Sequence, residues 1–314
     1  MIELFILIIV IGVCSEAFTR TLDEIGDNLG FDQHQIGSVF AAIATTLPET
    51  LVPLVALTVH HNTKVALGAT FGSFLVLSTL ALPIVGVVLR VKQGKYAAIQ
   101  PSEALVKDFV WFIGFCLVGL LLSRLHADHM LQILGAVFLL GSYAKRLRGV
   151  LKRNQNEPAE KESYKKNSNN RMLYLRMCLI LIALGLASSY FVDALHKAPP
   201  ILGNELVMAL VLSPLATELP EKVNSILWVL RGREIAAIGN ISGALVYQAS
   251  VLTAINILMG SWVINSTMTM ALMASMLAAT NLVLQKRRWS WILLAGQSVW
   301  LVLFWILQGF IPHS

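Results

Sequence analysis

Charge is the scarcest ingredient of this sequence. Only 13% of its 314 residues are Asp, Glu, Lys or Arg, against 56% hydrophobic, where water-soluble domains carry roughly 25% charged residues. That deficit excludes an ordinary soluble globule and leaves a polytopic membrane protein. Cysteine is nearly absent too. Cys14, Cys116 and Cys178 lie singly in apolar runs with no Cys-x-x-Cys spacing, which excludes a disulfide framework and a zinc site and leaves them as small packing residues. Neither His-Glu-x-x-His nor Gly-x-Ser-x-Gly occurs, which argues against an intramembrane hydrolase, so the chain is not expected to be an enzyme. The first residues lack the basic stretch and small-residue cleavage site of a signal peptide and carry Glu3 instead, so the run from Ile2 to Val13 is kept as part of a first span. The net charge is +6, but the basic residues fall between apolar segments. Membrane orientation, not nucleic acid, accounts for them.

What is abundant is apolar sequence in stretches near the 20 or so helical residues that cross a bilayer. Ten can be read, at approximately 2–19, 35–60, 65–90, 108–125, 129–147, 172–195, 204–230, 235–260, 262–284 and 289–311, the fourth being the shortest. The one long polar stretch, Arg148 to Arg171, carries Lys152, Arg153, Lys161, Lys165, Lys166 and an Asn/Ser run, and reads as a solvated linker. It divides the chain into a five-span half, 1–147, the linker 148–171, and a second half, 172–314. With the linker in the cytoplasm, Arg20, Arg90, Lys92, Lys95, Lys107, Arg231, Arg233, Lys286, Arg287 and Arg288 fall on the same side. Lys64, Arg124 and Lys197 fall on the other. Both termini are then outside, and five spans per half make the second half inverted relative to the first. The expectation is an all-α membrane protein of ten transmembrane helices in two inverted repeats, in an inner or plasma membrane.

One phrase is stated twice. Ala44-Thr45-Thr46-Leu47-Pro48-Glu49 matches Ala216-Thr217-Glu218-Leu219-Pro220-Glu221 at five of six positions, and the second copy is followed by Lys222. Leu29-Gly30 before the second span is echoed by Leu202-Gly203 before the seventh, and Gly68-x-x-x-Gly72 by Gly239-x-x-x-Gly243. Small residues at that spacing let helix backbones approach closely, so packing is one role for the glycines and walling a site another. Ionisable groups at membrane depth cost roughly 2.5–3.5 kcal/mol each on insertion scales, so they are rare and usually functional. Proline removes a helical hydrogen bond. Pro48 and Pro220 would free carbonyls near Ala44 and Ala216, beside Thr45 and Thr217 and close to Glu49 and Glu221. Carboxylate, hydroxyl and bare carbonyl oxygens together suit a hard cation such as calcium, or sodium, at a midplane site between facing repeats.

In these residues the chain resembles the sodium/calcium exchangers of the cation/calcium antiporter superfamily. Their two inverted repeats each carry a Gly-Thr-Ser-x-Pro-Glu-like helix and a Gly-Ser-Asn-containing helix. The resemblance implies Glu49 and Glu221 as central carboxylates and Thr45 and Thr217 as neighbouring oxygen donors. Thr46 stands for the first motif's serine, and Ser73 follows Gly72 as the family's serine does. The departures bear on coupling. Ala44 and Ala216 replace glycine, Phe74 and Leu77 replace asparagines, Leu245 and Gln248 do so in the eighth span, and Glu218 replaces the second motif's serine. The family pattern further implies that the second and seventh spans hold the site while the first and sixth slide.

Helical geometry leaves Glu218 open. At about 100° per residue it lies about 60° from Glu221, with Lys222 about 40° to its other side. Glu218 and Lys222 therefore form an i,i+4 pair in the favoured order. Either the two neutralise each other beside the site, or Glu218 is a third ligand or proton carrier tuned by burial against Lys222. The ammonium could also stand in for one transported monovalent cation. Among weaker candidates, Glu16 suits an access path or an interfacial position equally. His60 and His61 fit the headgroup region better than a metal, and His126-x-x-His129 lacks a further ligand. The expected function is a secondary antiporter exchanging Ca2+ for Na+ by alternating access. The alternatives are a proton-coupled divalent-cation exchanger and, from another class, a non-transporting sensor or scaffold with a retained ion pocket. The expected partners are inorganic cations and lipid, with no nucleic acid, no resident cofactor and plausibly a monomer.

Overall fold

The computed structural model describes residues 2–28, 41–124, 128–154, 170–199 and 204–309, and within them the side chains of 23, 26–28, 41–45, 47, 150–154, 170, 219–221 and 224 are outside the described set. Helix dominates: α1 Ile2–Asn28, α2 Ala41–Thr58, α3 Thr63–Gln93, α4 Glu103–Arg124, α5 His129–Asn154, α6 Asn170–Lys197, α7 Glu205–Thr217, α8 Leu219–Leu230, α9 Glu234–Leu258, α10 Ser266–Leu284 and α11 Trp291–Gln308. Seven of these (α1, α3, α4, α6, α9, α10 and α11) are long and apolar enough to cross a membrane. The three remaining expected spans fall short for separate reasons. The stretch 204–230 is broken at Glu218 into α7 and α8. The stretch 35–60 begins outside the described residues, and its apolar described part is Pro48–Thr58. The stretch 129–147 continues into the basic end of α5, at Lys145, Arg146, Arg148, Lys152 and Arg153. The Leu29-Gly30 and Leu202-Gly203 turns, His126 and linker residues 155–169 lie outside the described residues.

Helix starts follow from the sequence. Asn62, Asn204 and Asn265 cap α3, α7 and α10 by accepting from the backbone N–H three residues on, and Ser102, Asp128 and Ser290 do the same for α4, α5 and α11. Each satisfies an orphan donor of a first turn.

The distribution of side chains is inverted relative to a soluble protein. Ile2, Phe5, Ile6, Ile9 and Val13 of α1 and Leu175, Leu179, Ile182 and Leu186 of α6 are exposed, whereas Thr70, Ser78, Ser242, Gln248, Ser250, Asn256 and Ser275 are fully buried. Apolar surface outside and hydrogen-bonded polar groups inside is what a hydrocarbon solvent selects. Many buried hydroxyls bond back to the carbonyl four residues earlier, as Thr70 to Ala66, Ser250 to Val246 and Ser275 to Ala271, so these donors are satisfied on their own helices.

Two cores result. One joins α1, α2 and α6, the other joins α4, α5, α8, α9, α10 and α11, and α3 and α7 contribute to both. They meet where α3 lies against α7. At this seam Gly68 faces Leu206 and Ala209, and Gly72 faces the backbone of Leu210. Pro214 lacks the N–H that would have taken up the Leu210 carbonyl, and that carbonyl points at Gly72, where a Cβ would sit 2.1 Å from it. Gly239 and Gly243 differ: no described atom lies within 4 Å of a Cβ added at either. Their packing role is therefore not seen among the described residues.

Two helices contain a π turn at matching places, Leu77–Ala81 in α3 and Gln248–Leu252 in α9. Gln248 stands 171 residues after Leu77, the separation of Gly68 from Gly239. Packing is reciprocal as well: α1 lies against α6, α7 and α8, while α6 lies against α1, α2 and α7. At one end of the bundle, Asn62 Nδ2 and His196 Nδ1 both meet Glu205 Oε1, at 2.7 and 2.8 Å. At the other end Lys92 Nζ reaches the Val229 carbonyl at 2.7 Å and Glu234 at 3.2 Å, and a two-residue antiparallel ladder pairs Ala98 with Ser290 and Ile99 with Trp289.

The seam is testable. A backbone carbonyl cannot swing aside as a side chain can, so Gly72→Ala should destabilise the protein by about 1–3 kcal/mol. Gly114→Ala, on an exposed helix face with nothing within 4 Å of the added carbon, should not lower the unfolding temperature in detergent and should raise it slightly.

Candidate functional site

Four elements deliver polar groups to one buried place. Glu49 comes from α2, Glu218 from the turn between α7 and α8, Lys222 from the first turn of α8, and Gln248 from the π turn of α9. All are at least 95% buried, Glu218 and Gln248 completely. The break at Glu218 has a local cause. Pro220 has no N–H for the Ala216 carbonyl, so α7 stops at Thr217 and α8 restarts with Pro220 in its first turn, where proline is tolerated. The Glu218 N–H still reaches the Pro214 carbonyl at 2.8 Å, and the Lys222 N–H reaches the Glu218 carbonyl at 3.1 Å. The i,i+4 relation of Glu218 and Lys222 therefore survives the break. By contrast α2 runs unbroken through Pro48 and Pro53.

The Gln248 amide joins the two carboxylates. Its Nε2 donates to Glu49 Oε2 at 2.7 Å and to Glu218 Oε1 at 2.6 Å. Those two oxygens are thus no farther apart than the two bonds laid end to end. The Lys222 ammonium stands 3.7 Å from the other Glu218 oxygen, Oε2. The π turn has a direct consequence here. Its extra residue sets the Gln248 carbonyl opposite Thr253, whose backbone N–H and hydroxyl, the latter at 3.2 Å, both donate to it, and the Gln248 side chain lies in the cluster. π turns inside α-helices recur at functional sites.

A second set of hydroxyls borders it. The Thr50 hydroxyl donates to the Thr46 carbonyl at 2.7 Å, so the Tyr247 hydroxyl, 2.9 Å away, donates to Thr50. Tyr247 is also in hydrogen-bond contact with Thr46 and in the electrostatic field of Glu49. The Thr217 hydroxyl donates to the Ser213 carbonyl at 3.1 Å, which leaves its lone pairs available. Ser73 is buried on α3 one residue beyond the seam glycine, and no hydrogen bond among the described residues ties it to the cluster. The side chains of Thr45 and Glu221 lie outside the described residues, although both backbones are helical. Among the described residues no three His, Cys, Asp or Glu side chains converge.

Other expected positions are elsewhere. Glu16 pairs with Arg20 at 2.8 Å. With Arg20 and Arg176 it lines a groove of about 600 Å³ that reaches Leu215 and Val223, on either side of the break. His60 bonds Ser189 Oγ at 2.8 Å, tying α2 to α6. His129 is exposed at the start of α5.

Sequence reasoning missed three features. The turn at Glu218 was readable as a continuous kinked helix, because a proline that kinks and one that breaks look alike. The Tyr247 contact with Thr50 joins residues 197 apart in the chain and leaves no local signal. The π turns have none either.

The sequence matches the family described as sodium/calcium exchanger protein over residues 2–147 and 172–311. No curated protein sequence matches. Among solved structures, the chain is similar to the H+/Ca2+ exchanger CAX, with TM-score 0.76, 16% identity and coverage of 99% of this chain and 81% of that one. It is similar to native YfkE, with TM-score 0.72, 15% identity and coverage of 96% and 90%. It is similar to the sodium-calcium exchanger NCX_Mj soaked with 100 mM Na+ and 10 mM Sr2+, with TM-score 0.61, 18% identity and coverage of 99% and 98%.

Removing one member of a buried ion pair strands the other, at a cost of about 3–5 kcal/mol. Lys222→Met should therefore lower the unfolding temperature in detergent markedly, and adding Glu218→Gln in the same chain should restore most of it.

Proposed function

Because the chain belongs to the sodium/calcium exchanger protein family, a family of multi-pass membrane transporters of inorganic cations, we propose that it is a secondary antiporter. It exchanges Ca2+ for Na+ by alternating access, across an inner or plasma membrane. One observation carries this reading: carboxylates from opposite halves of the chain, Glu49 and Glu218, meet on a single amide in a fully buried cluster. Buried charge of this kind inside a membrane bundle marks an ion path. Calcium takes oxygen ligands at about 2.3–2.6 Å, and the cluster can offer the Glu49 and Glu218 carboxylates and the Gln248 amide oxygen, with Thr46 and Thr217 hydroxyls beside them. Glu221, Thr45 and Ser73 complete the proposed ligand set.

In this proposal α7 and α8 form one broken span, so the chain crosses ten times as two inverted five-helix repeats, 1–147 and 172–314, joined by the cytoplasmic linker 148–171. The matched π turns and reciprocal helix packing support it. So do the two ends of the bundle. Lys92, Gln93 and Glu234 cluster at the end assigned to the cytoplasm, while Asn62, His196 and Glu205 cluster at the end assigned outside. The site stays with α2, α7 and α8 while α1 and α6 slide. Cation binding takes up the carboxylates; sodium ions or protons then compete for them and release the dication.

A proton-coupled exchanger is the second reading. It is favoured by the buried Glu218–Lys222 pair and by apolar Leu77 at the position matching Gln248. Flux of radioactive calcium into proteoliposomes separates the two. A sodium gradient should drive uptake, and Glu49→Gln and Glu221→Gln should each abolish it. Uptake driven by a proton gradient alone would establish the second reading, and calcium binding with no flux of any cation would leave a sensor or scaffold. Lys222→Ala should alter the dependence of uptake on sodium, and an unchanged dependence would remove the ammonium from the coupling.

A further inference from the structure

Tyr247 and Gln248 are consecutive residues of α9, and both reach α2. Gln248 holds Glu49, while the Tyr247 hydroxyl donates to Thr50 at 2.9 Å and also meets Thr46. At about 100° per residue, Thr46, Glu49 and Thr50 fall within about 100° of one face of α2. The phenol is thus fastened to the same strip of helix that carries the acid. The two ties differ in kind. The amide competes with cargo, because it and a cation draw on the same carboxylate. The phenol tie runs from hydroxyl to hydroxyl, occupies no carboxylate oxygen, and can persist whether the site is empty or filled.

Tyr247 is itself held from behind. The Tyr143 ring of α5 meets its ring edge to face, with centroids 5.7 Å apart at 73°. Five residues earlier on α9, Ser242 Oγ donates to Asp108 Oδ2 of α4 at 3.0 Å, and Asp108 Oδ1 accepts from Arg146 Nε and Nη2 of α5 at 3.0 and 2.7 Å. These supports come from α4 and α5, not from the α1 and α6 that slide in the proposed cycle. In the first half Val76 stands at the matching place and offers no hydroxyl.

Resting on the reading that Glu49, Glu218 and Glu221 take up the cation, we propose that Tyr247 is a positioning residue that sets the size of the site and with it the choice among dications. Through Thr50 it fixes α2, and therefore Glu49, at one distance from α9 and the Glu218 turn. Like-charged carboxylates repel, so without the tie the unloaded acids spread and must be drawn together again when calcium enters. A preorganised site avoids that cost. Calcium takes oxygens at about 2.3–2.6 Å, and discrimination among hard cations follows cavity size and rigidity. A site free to widen loses preference for calcium over the larger barium ion.

The test measures binding of calcium and of barium, each alone, by isothermal titration of the full chain in sodium-free detergent solution. Tyr247→Phe keeps the ring and its contact with Tyr143 and deletes only the hydroxyl. Thr50→Val deletes the acceptor with little change of shape. The tether predicts that each variant raises the calcium dissociation constant about threefold to tenfold, the equivalent of one hydrogen bond. Each should also narrow the preference for calcium over barium by at least about twofold. The double variant should bind no more weakly than either single one, since both remove one shared interaction. Unchanged calcium affinity, an unchanged calcium-to-barium ratio, a loss in Tyr247→Phe without one in Thr50→Val, or additive losses would each overturn the tether and leave the cation site in place. Absence of calcium binding to the wild type would overturn the cation-site reading and this proposal together. Should one variant fail to fold, the other decides on affinity and ratio.

Discussion

Everything in this molecule depends on keeping carboxylates ionisable where water is excluded. An isolated charge in a low-dielectric interior is untenable, so each described acid of the cluster has a specific partner: Glu49 the Gln248 amide, Glu218 the same amide and the Lys222 ammonium. The surrounding architecture makes those partnerships possible. Pro220 breaks the seventh apolar stretch so that Glu218 falls in a turn, the π turn of α9 carries Gln248, and the glycines of α3 let α7 come close enough to close the seam.

The two halves share a scaffold but not a chemistry. Where the second half has Glu218, Lys222, Tyr247 and Gln248, the first has Thr46, Thr50, Val76 and Leu77 at matching offsets. The first half contributes one described acid and hydroxyls, and the second contributes an acid, a base, a phenol and an amide. Both keep the π turn, while the side chain at its start differs, Leu77 in one and Gln248 in the other. On the proposed reading, the unequal residues at these matching positions would bear on the coupling ion, since function follows the chemistry of the site and not helix packing.

The ends of the bundle are built differently from its middle. Polar clamps such as Glu205 with Asn62 and His196, or Lys92 with Glu234, sit at the helix ends. In the middle, hydroxyls satisfy themselves on their own helices. Interhelical polar contacts at membrane depth are then concentrated in a few places, of which the acidic cluster is the most heavily charged among the described residues.

Much of this was legible in the sequence, and the rest for physical reasons was not. Low charge and long apolar runs identified the membrane class, because the bilayer imposes its thickness on contiguous residues. The repeated Thr-x-Leu-Pro-Glu phrase singled out Glu49 and the Glu218 to Lys222 stretch, because ionisable groups among apolar neighbours are conspicuous locally. The i,i+4 relation of Glu218 and Lys222 followed from helix periodicity and needed no tertiary information. Whether that pair stood beside the cluster or within it was undecidable, because Gln248 reaches Glu49 across 199 residues of chain. The break at Pro220 against the continuity at Pro48 was likewise decided by what packs around each helix, and so was the contact of Gly72 with a carbonyl that Pro214 had left free. Hydropathy and periodicity are properties of neighbours along the chain; the meeting of an amide with two distant acids is a property of the folded bundle alone.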